Sequence, residues 1–363
     1  MLTNLIYFYP LFFLKSINLR LLKSLMNLPD RVSAFVQLGI SIKNLSEIEK
    51  EELFWRAENK NSWFTSSSCQ SALNGIAFMI AEYKINKWLN GYGDIKPESP
   101  KSVGIMMAGN IPAVGFHDLM TVLISGNKAC VKLSSADEVL IKWIIQSLIA
   151  IEPRFADYIS IEEMLKGKEA YIATGSDNSA RYFNYYFGKY PSIIRRNRSS
   201  VAVLSGDEST QELQALGKDI FQYFGLGCRN VSKIFIKSKD QLQHLLDSLE
   251  IFSVVMNYHK YLNNYDYNKS ILLVNREDHL DNGFLLVRET KELVSPISVL
   301  FYEIYVDLAQ LQFRLDEIKE NIQCIVSNPE YYKGAVSFGG AQEPEVWEYA
   351  DGVDTLRFLQ SLN

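Results

Sequence analysis

A cysteine stands in a turn-like stretch of the sequence, between a Gly-Leu-Gly run and an Arg-Asn pair. The segment from Tyr223 to Ile236 reads YFGLGCRNVSKIFI and places Cys228 just ahead of a strand-like apolar run. A structural thiol is more typical of the inside of an apolar segment. At a turn between two elements, unpaired backbone N–H groups lower the pKa of a thiol and favour the nucleophilic thiolate. The sequence therefore predicts Cys228 as a nucleophile with a lowered pKa.

The other three cysteines carry no chemical pattern. Cys69, Cys130 and Cys324 form no CxxC pair and have no neighbouring histidines. This spacing excludes an obvious zinc site or disulfide framework and suits a reducing, cytoplasmic compartment. Because the chain has only four histidines, we also expect no multi-histidine metal centre. We interpret these cysteines as structural, Cys130 in particular because Ala and Val flank it in a strand-like run.

Composition and charge limit the class of partner. The chain has 363 residues, of which 47% are hydrophobic and 22% charged, and its formal net charge is -5. Such values are typical of a globular protein with two or three domains or of one two-lobed enzyme. No basic cluster approaches the size that a nucleic-acid surface requires. We therefore expect no nucleic-acid partner.

The first 25 residues contain an apolar run that Pro10 interrupts. The run is too short to span a bilayer, and it lacks both the basic n-region and the cleavage site of a signal peptide. Two interpretations stay open. Either translation begins at Met26 and residues 1–25 are an extension, or they form a short surface-docking helix. Neither interpretation includes an integral membrane span.

Hydrophobic periodicity predicts a helical prelude followed by a parallel sheet. Apolar residues over 26–98 recur at spacings near 3.6 residues, as they do in amphipathic helices. Over 102–204, buried strands alternate with helices, and one of these helices is closed by Gly126. Two βαβ units in series are typical of a doubly wound nucleotide-binding sheet. The last strand of this sheet is predicted at 200–204.

A second alternation of helices and strands begins past Gly206. Its predicted strands are SKIFIK, SILLVN, FLLVRE, ISVLFYEIY and CIVSN. The fold class expected is therefore α/β with two lobes and a cleft between them at the carboxyl ends of the strands. The predicted parts are a nucleotide-binding domain with its helical prelude at 26–205, a catalytic domain at 206–340 and a C-terminal segment at 341–363.

Five short motifs, in order along the chain, resemble those of the aldehyde dehydrogenase superfamily. MAGNIPAVGFHDLMTVLISGNKACVKLSSAD resembles the segment from a Pro-Trp-Asn-Phe-Pro-like turn to a Lys-Pro-Ser-Glu-like strand end. ATGSDNSARYF resembles the Phe-Thr-Gly-Ser turn, FGLGC the Gly-Gln-x-Cys turn, ELVSPI the Glu-Ile-Phe-Gly-Pro-Val motif and VSFGGAQ the Pro-Phe-Gly-Gly loop. The AGNIPAVGFHDL and SGNKACVKLSS segments are most similar to the fatty acyl-CoA reductase branch, which includes the reductase subunit of bacterial luciferase systems.

This resemblance implies NADPH-dependent reduction of a fatty acyl-CoA, or another acyl thioester, to an aldehyde through an S-acyl thioester on Cys228. Asn110 follows a predicted strand, and its amide would donate to the developing oxyanion together with the backbone N–H of Cys228. The alternative for Asn110 is a turn asparagine that tolerates a left-handed conformation. His117, further along the next helix, is interpreted as packed beside the sheet and not as a base.

The chain has no GxGxxG fingerprint. The cofactor-binding residues expected are therefore those that the resemblance implies. Lys132 and Ser134 belong to the Lys-Pro-Ser-Glu-like strand end, and Lys132 would reach the adenosine ribose. Gly175 and Ser176 open a helix whose N-terminal N–H groups suit a diphosphate. Glu292 would hold the nicotinamide ribose, although a solvated glutamate is the alternative.

Two departures from the superfamily pattern concern the cofactor. Ser135 takes the place of the glutamate that binds the ribose hydroxyls in NAD-preferring relatives. Its neutral side chain removes a charge that would repel a 2′-phosphate, which favours NADPH. Val294 replaces the phenylalanine of the nicotinamide-clamping motif, so that contact stays open.

A third departure concerns the fate of the acyl intermediate. The glutamate that activates water in hydrolytic relatives falls on Ile194, and the arginines near it are Arg195, Arg196 and Arg198. Arginine stays protonated and does not accept a proton, so we expect reduction and not hydrolysis. The arginines are interpreted either as solvent-exposed residues that lead into a strand or as contacts for CoA phosphates.

Several alternatives remain open at this stage. The acyl group could arrive as an acyl phosphate or on an acyl carrier protein, or the enzyme could be a non-reductive acyltransferase. An inactive scaffold that retains the two lobes for interaction is the alternative outside enzymes. The sequence leaves open the acyl chain length, the pathway and whether the chain forms a homo-oligomer.

Overall fold

The computed structural model describes residues 26–175 and 177–362 and begins with a run of helices. They are α1 (Leu28–Lys43), α2 (Glu47–Lys60), α3 (Ser66–Met79) and α4 (Glu82–Leu89). Local capping sets their starts. The Ser46 hydroxyl and the Glu49 carboxylate exchange contacts across the first turn of α2 in a capping box, an arrangement that satisfies otherwise unpaired N–H groups. The helical prelude predicted over 26–98 is confirmed, while residues 1–25 lie outside the described part of the chain.

The first sheet has five parallel strands in the order β3-β2-β1-β4-β5. The strands are β1 (Ser102–Met106), β2 (Lys128–Lys132), β3 (Ile159–Ile161), β4 (Ala170–Thr174) and β5 (Ser192–Arg195). The helices of this lobe are α5 (Phe116–Ile124), α6 (Glu138–Ile151) and α7 (Asp177–Phe187). The chain order reverses between β1 and β4, and in open α/β sheets a ligand crevice forms beyond the strand ends at such a switch point.

The second sheet has six strands in the order β11-β6-β7-β10-β9-β8, and only the short edge pair β8–β9 is antiparallel. The strands are β6 (Ser199–Val203), β7 (Val231–Ile236), β8 (Leu280–Asp281), β9 (Leu286–Glu289), β10 (Val299–Ile304) and β11 (Ile322–Val326). The helices are α8 (Thr210–Phe221), α9 (Gln241–Ser248), α10 (His259–Asn275), α11 (Leu308–Ile318) and α12 (Thr355–Gln360). Two α/β lobes are thus present, as predicted.

Two predicted strands are wrong in place or type. The strand predicted at 200–204 pairs with β7 and β11 in the second sheet, and β5 closes the first sheet instead. All five residues of β6 are buried, and such an apolar run does not reveal its partner strand. The predicted strand SILLVN is the last part of α10. A short apolar run fits a buried strand and a buried helix equally well.

The C-terminal segment packs back on the first lobe. Val346, Leu356 and Leu359 are completely buried in the same hydrophobic cluster as α1, α5 and α6. The indole N–H of Trp88, on α4, donates to the Tyr349 hydroxyl at 2.7 Å, which ties this segment to the helical prelude. In the part of the chain that is described, none of the helices combines the length and apolar character needed to cross a membrane.

Candidate active site

The structure brings Asn110 to the turn that carries Cys228. Asn110 follows β1 at the carboxyl edge of the first sheet, and its side-chain amide donates to the carbonyl oxygen of Leu226 at 2.8 Å. A Cβ added at Gly227 would lie 3.0 Å from the Asn230 side-chain oxygen and 3.5 Å from Ile111, so the tight neighbour of this glycine is Asn230. Asn110 therefore contacts the turn of Cys228 from the first lobe, and Cys228 lies two residues beyond the carbonyl group that Asn110 contacts.

The chain reaches this turn through an unusual backbone conformation. After α8, Tyr223, Phe224 and Gly225 have φ angles of 53°, 57° and 78°. Glycine adopts such left-handed angles without strain, whereas each of the two aromatic residues costs about 1–3 kcal/mol. The aromatic residues are anchored by packing, since the Phe224 ring lies 5.3 Å from Trp63 and 4.7 Å from Tyr258. Tertiary contacts therefore stabilise the conformation that leads to Cys228.

The predicted lowering of the Cys228 pKa is wrong. Burial raises the pKa of this thiol, and the neighbouring Arg229 guanidinium opposes that effect only in part. Cys228 lies in a turn before β7 and not at a helix start, so no helix N-terminus stabilises its thiolate. Its backbone carbonyl accepts from the Ser200 hydroxyl at 3.1 Å. Burial thus favours the protonated thiol, and Arg229 is the adjacent positive charge that opposes it.

Arg229 and Asp219 connect the nucleophile turn to the VSFGGAQ loop. The Arg229 guanidinium donates to the carbonyl oxygen of Ala341 at 3.3 Å. The buried Asp219 carboxylate accepts from the N–H groups of Gly339 at 2.6 Å and Ala341 at 3.0 Å. Burial raises the pKa of Asp219 to about 6 despite these hydrogen bonds. The loop therefore lies beside Cys228, although sequence reasoning identified neither Asp219 nor Arg229.

A second buried carboxylate holds the turn that carries Asn110. Asp137 accepts the backbone N–H of Ala113 at 2.7 Å, and Ala113 has a left-handed φ of 55°. The other Asp137 oxygen has no hydrogen-bond partner among the described residues, and burial raises the pKa of Asp137 to about 8. Asn110 is not among the residues with positive φ, so the alternative of a left-handed asparagine does not apply.

Three predicted cofactor residues lie at the carboxyl edge of the first sheet, near Asn110. Ser134 lies against Gly109, where an added Cβ would be 2.4 Å from the serine hydroxyl oxygen. The Lys132 ammonium group, at the end of β2, donates to the carbonyl oxygen of Glu163 at 2.6 Å. Ser135 is exposed. These polar groups line the edge next to the switch point, which fits a bound dinucleotide.

Of the two residues predicted at the diphosphate, the structure describes only Gly175. Gly175 follows β4 and donates to the carbonyl oxygen of Arg195 at 3.4 Å. A Cβ there would lie 2.9 Å from both Phe183 and Ser179 of α7, so only glycine fits this tight turn. Ser176 lies outside the described residues. Gly175 thus lies just before α7, and the diphosphate site there stays a prediction.

Glu292 lies in the second lobe, on the loop between β9 and β10. Its side chain is exposed, while its backbone is held by Lys233. The Lys233 ammonium group is fully buried and donates to the carbonyl oxygens of Thr290 at 2.8 Å and Glu292 at 3.1 Å. Glu303 forms an ion pair with the same ammonium group. Val294, on the same loop, is also exposed, so neither residue has a protein contact that defines its role.

Ile194 and the arginines near it are mostly turned into the protein. Ile194 packs with Tyr171, Phe183 and Phe187 on the first sheet. Arg195 is 3% exposed and forms an ion pair with Asp118 at 2.6 Å. Its interpretation as a solvated residue or a phosphate contact is therefore wrong. The other two arginines differ in exposure: Arg198 pairs with Asp351 at 3.2 Å, and Arg196 is exposed.

Two further residues fall outside the predicted site chemistry. A ring nitrogen of His117 lies 2.9 Å from the carbonyl oxygen of Val346, and burial lowers its pKa. This environment agrees with a packed histidine. Cys324 is closer to the site than expected, because the Ser200 hydroxyl contacts both its sulfur at 3.1 Å and the Cys228 carbonyl. Burial raises the pKa of Cys324 as well.

Solved structures that resemble this fold include several aldehyde dehydrogenases. An oxidoreductase from Marinobacter aquaeolei has a TM-score of 0.62 at 10% identity, covering 89% of this chain and 80% of that chain. Indole-3-acetaldehyde dehydrogenase of P. syringae, solved with NAD+, has a TM-score of 0.60 at 13% identity, covering 83% and 72%. Aldehyde dehydrogenase 21 from Physcomitrella patens, solved with succinate, has a TM-score of 0.58 at 12% identity, covering 92% and 88%. The fold is therefore aldehyde dehydrogenase-like.

The family follows from the sequence itself. A profile of the acyl-CoA reductase (LuxC) family matches residues 65–249, about half of the chain. The matched range includes Asn110 and Cys228 and ends before Glu292. A comparison with curated proteins gave no match. The chain belongs to the acyl-CoA reductase (LuxC) family and is an oxidoreductase with an aldehyde dehydrogenase-like fold.

Proposed function

We propose that the chain reduces a fatty acyl-CoA to an aldehyde with NADPH, through an S-acyl thioester on Cys228. The observation that carries this proposal is the hydrogen bond from the Asn110 amide to the carbonyl oxygen of Leu226. This hydrogen bond joins two motifs that are more than a hundred residues apart, and it supports a role for Asn110 at the turn that carries Cys228. Such a pair suits nucleophilic attack on a carbonyl group with stabilisation of its oxyanion.

In the first step, the Cys228 thiolate attacks the carbonyl carbon of the acyl-CoA. A new carbon–sulfur bond forms to Cys228 and the bond to the CoA sulfur breaks. The proton that the Cys228 thiol loses goes to the departing CoA sulfur, so CoA leaves as the free thiol. The Asn110 amide nitrogen carries two hydrogens, and only one is needed for the bond to Leu226. The second hydrogen and the backbone N–H of Cys228 are the donors we assign to the oxyanion.

Two opposing effects act on the Cys228 thiol. Burial disfavours the thiolate, and the positive charge of Arg229 favours it. Arg229 is therefore the residue that we propose to stabilise the thiolate.

The residues at the carboxyl edge of the first sheet would hold the cofactor. Lys132, Ser134 and Ser135 would contact the adenosine end, Gly175 and Ser176 the diphosphate, and Glu292 the nicotinamide ribose. When bound there, NADPH would supply the hydride needed to reduce the thioester to an aldehyde. The exposed, neutral Ser135 leaves room for a 2′-phosphate, which supports NADPH over NADH.

Release of a free acid from the thioester needs a base that activates water, and general-base assistance contributes ~10²- to 10⁴-fold. At the position of that base, Ile194 is apolar and packs against Tyr171 and Phe187. Arg195 beside it is already paired with Asp118 and stays protonated. The thioester should therefore persist until it is reduced.

Loss of NADPH absorbance upon addition of dodecanoyl-CoA tests this function. We expect one NADPH to be consumed for each aldehyde and each CoA released. Release of CoA without NADPH consumption would indicate an acyltransferase or a hydrolase. Turnover with an acyl phosphate or an acyl carrier protein, but not with acyl-CoA, would correct the carrier while leaving the reduction step in place.

A further inference from the structure

The Asn230 side chain caps the end of α8 from a position further along the chain. Asn230 is 2% exposed. Its amide nitrogen lies 3.0 Å from the carbonyl oxygen of Asp219 and 2.8 Å from that of Gln222, with the carbonyl oxygen of Ile220 at 3.4 Å. The last carbonyl groups of a helix have no partners within the helix. The Asn230 side-chain nitrogen is the hydrogen-bond donor for these carbonyl groups at the point where the chain leaves α8 for the left-handed turn.

The other end of the same side chain holds the residue before the thiol. The Asn230 side-chain oxygen accepts the backbone N–H of Gly227 at 2.8 Å. The backbone N–H of Asn230 donates to the carbonyl oxygen of Gly227 at 3.1 Å, which closes a four-residue turn with Cys228 in its second position. The carbonyl oxygen of Asn230 accepts the N–H of Ser200 on β6 at 3.1 Å. One residue thus connects the turn to α8 and β6.

These contacts require an asparagine. Three carbonyl oxygens face the side-chain nitrogen and one N–H faces the side-chain oxygen, which fixes the orientation of the amide. Aspartate has the same shape and keeps the acceptor for Gly227, but it has no donor for the carbonyl groups of α8. Alanine makes neither contact. The two substitutions therefore separate the two functions of the Asn230 side chain.

We infer that Asn230 is a positioning residue that fixes Cys228 for attack on the acyl group, an inference that rests on the proposed function. Asn230 fixes the backbone on both sides of Cys228, so it sets the direction of the Cys228 N–H and thiol relative to Asn110. A displacement of about 1 Å at a reacting group can slow a step by ~10²-fold. Loss of Asn230 should therefore slow acylation while substrate affinity stays nearly the same.

Single-turnover acylation by dodecanoyl-CoA, followed by intact-mass measurement of quenched samples, tests the inference. For Asn230→Ala we expect the acylation rate at saturating substrate to fall by ~10- to 10²-fold, with a nearly unchanged half-saturating concentration. Asn230→Asp should slow the step to a similar extent, because it loses the contacts with α8. Rates are scaled to the fraction of protein that binds NADPH, so unfolded protein does not count.

Asn127→Ala is the matched control. Asn127 is 1% exposed, accepts the backbone N–H of Lys101 at 2.9 Å and donates to the Ser125 hydroxyl at 2.9 Å. It lies just before β2, at the opposite edge of the first sheet from Asn110. We expect this control to lose stability but to acylate at the wild-type rate.

The possible outcomes separate the inference from the proposed function. An acylation rate of folded Asn230→Ala within about 3-fold of wild type would overturn the positioning role. If the alanine variant does not fold, the same rate in Asn230→Asp would overturn it. An equal slowing in Asn127→Ala would also overturn it, since the effect would then follow general stability. Wild-type protein that is never acylated would reject the proposed function itself.

Discussion

The nucleophile turn and the cofactor edge of the first sheet are built in different ways. Around Cys228, the almost completely enclosed side chains of Asn230 and Ser200 satisfy the backbone, and the exposed Asn110 adds a contact from the first lobe. At the cofactor edge, Ser135 is exposed and the ammonium group of Lys132 contacts only one backbone carbonyl group. The backbone groups of the nucleophile turn thus have hydrogen-bond partners within the chain, whereas polar groups at the cofactor edge are accessible to a ligand. Substitutions in the two regions should therefore affect different steps.

The largest effect is expected from Cys228→Ala. This change removes the only group that we propose to form the acyl thioester, so acylation and NADPH consumption should both be abolished. NADPH binding, measured by fluorescence titration, should stay within about 2-fold of wild type because the cofactor contacts lie mainly in the first lobe. Cys324→Ala is the matched control, since it removes the neighbouring thiol and should retain acylation. Normal turnover of Cys228→Ala would reject the mechanism.

Asn110→Ala should slow acylation by about 10²-fold, the typical cost of one lost oxyanion donor. Asn110→Asp should be at least as slow, because a carboxylate has a similar shape but cannot donate to the oxyanion. The rate is measured in a single turnover at saturating dodecanoyl-CoA. Variants that acylate as fast as wild type would show that the contact between Asn110 and Leu226 is only structural.

A change at the cofactor edge should alter affinity and leave acylation intact. In Ser135→Glu, the new carboxylate would repel the 2′-phosphate, and we expect NADPH to bind about 10-fold more weakly, a difference of roughly 1.4 kcal/mol. Ser135→Gln has the same size without the charge and is the control. Equal affinities of Ser135→Glu and Ser135→Gln for NADPH would contradict the placement of the phosphate at this residue.

The smallest effect on activity is expected at Asp137, where the readout is stability. Its pKa rises from 3.8 to about 8 on folding because the carboxyl group is buried. The folded state therefore binds the proton more tightly, so the stabilisation is complete below about pH 4 and is lost as the pH rises towards 8. Asp137→Asn should remove this loss, with a difference on the order of 1 to 3 kcal/mol between mildly acidic and mildly alkaline urea unfolding. An unchanged pH profile in Asp137→Asn would contradict the assignment.

The sequence predicts the elements of strong local pattern and fails where tertiary pairing decides. β1, α5 and β2 follow directly from two buried runs and a helix that ends at Gly126, and all three are confirmed. The strand Ser199–Val203 was correctly identified as a strand but assigned to the wrong sheet, because strand partners are not encoded in a local apolar run. The segment SILLVN belongs to a helix for a similar reason, since packing of α10 on the second sheet decides its type.

For the candidate site, motif reasoning identified residues but not their environment. Asn110 and Cys228 do belong to turns that contact each other. The predicted direction of the Cys228 pKa shift is wrong because burial, which arises only in the folded chain, outweighs the charge of Arg229. Asn230 and Asp137 lie within the quoted segments, but the motifs assign neither residue a role. The one available signal was their polarity next to segments that must be buried.

The most direct measurement is the mass of the protein after mixing with dodecanoyl-CoA in the absence of NADPH. We predict an increase equal to one dodecanoyl group, located on Cys228 by peptide mapping, that is stable until NADPH is added. NADPH should then remove the acyl group, with one NADPH oxidised and one aldehyde formed for each group lost. Acylation at another residue, or loss of the acyl group as free acid without NADPH, would contradict the account.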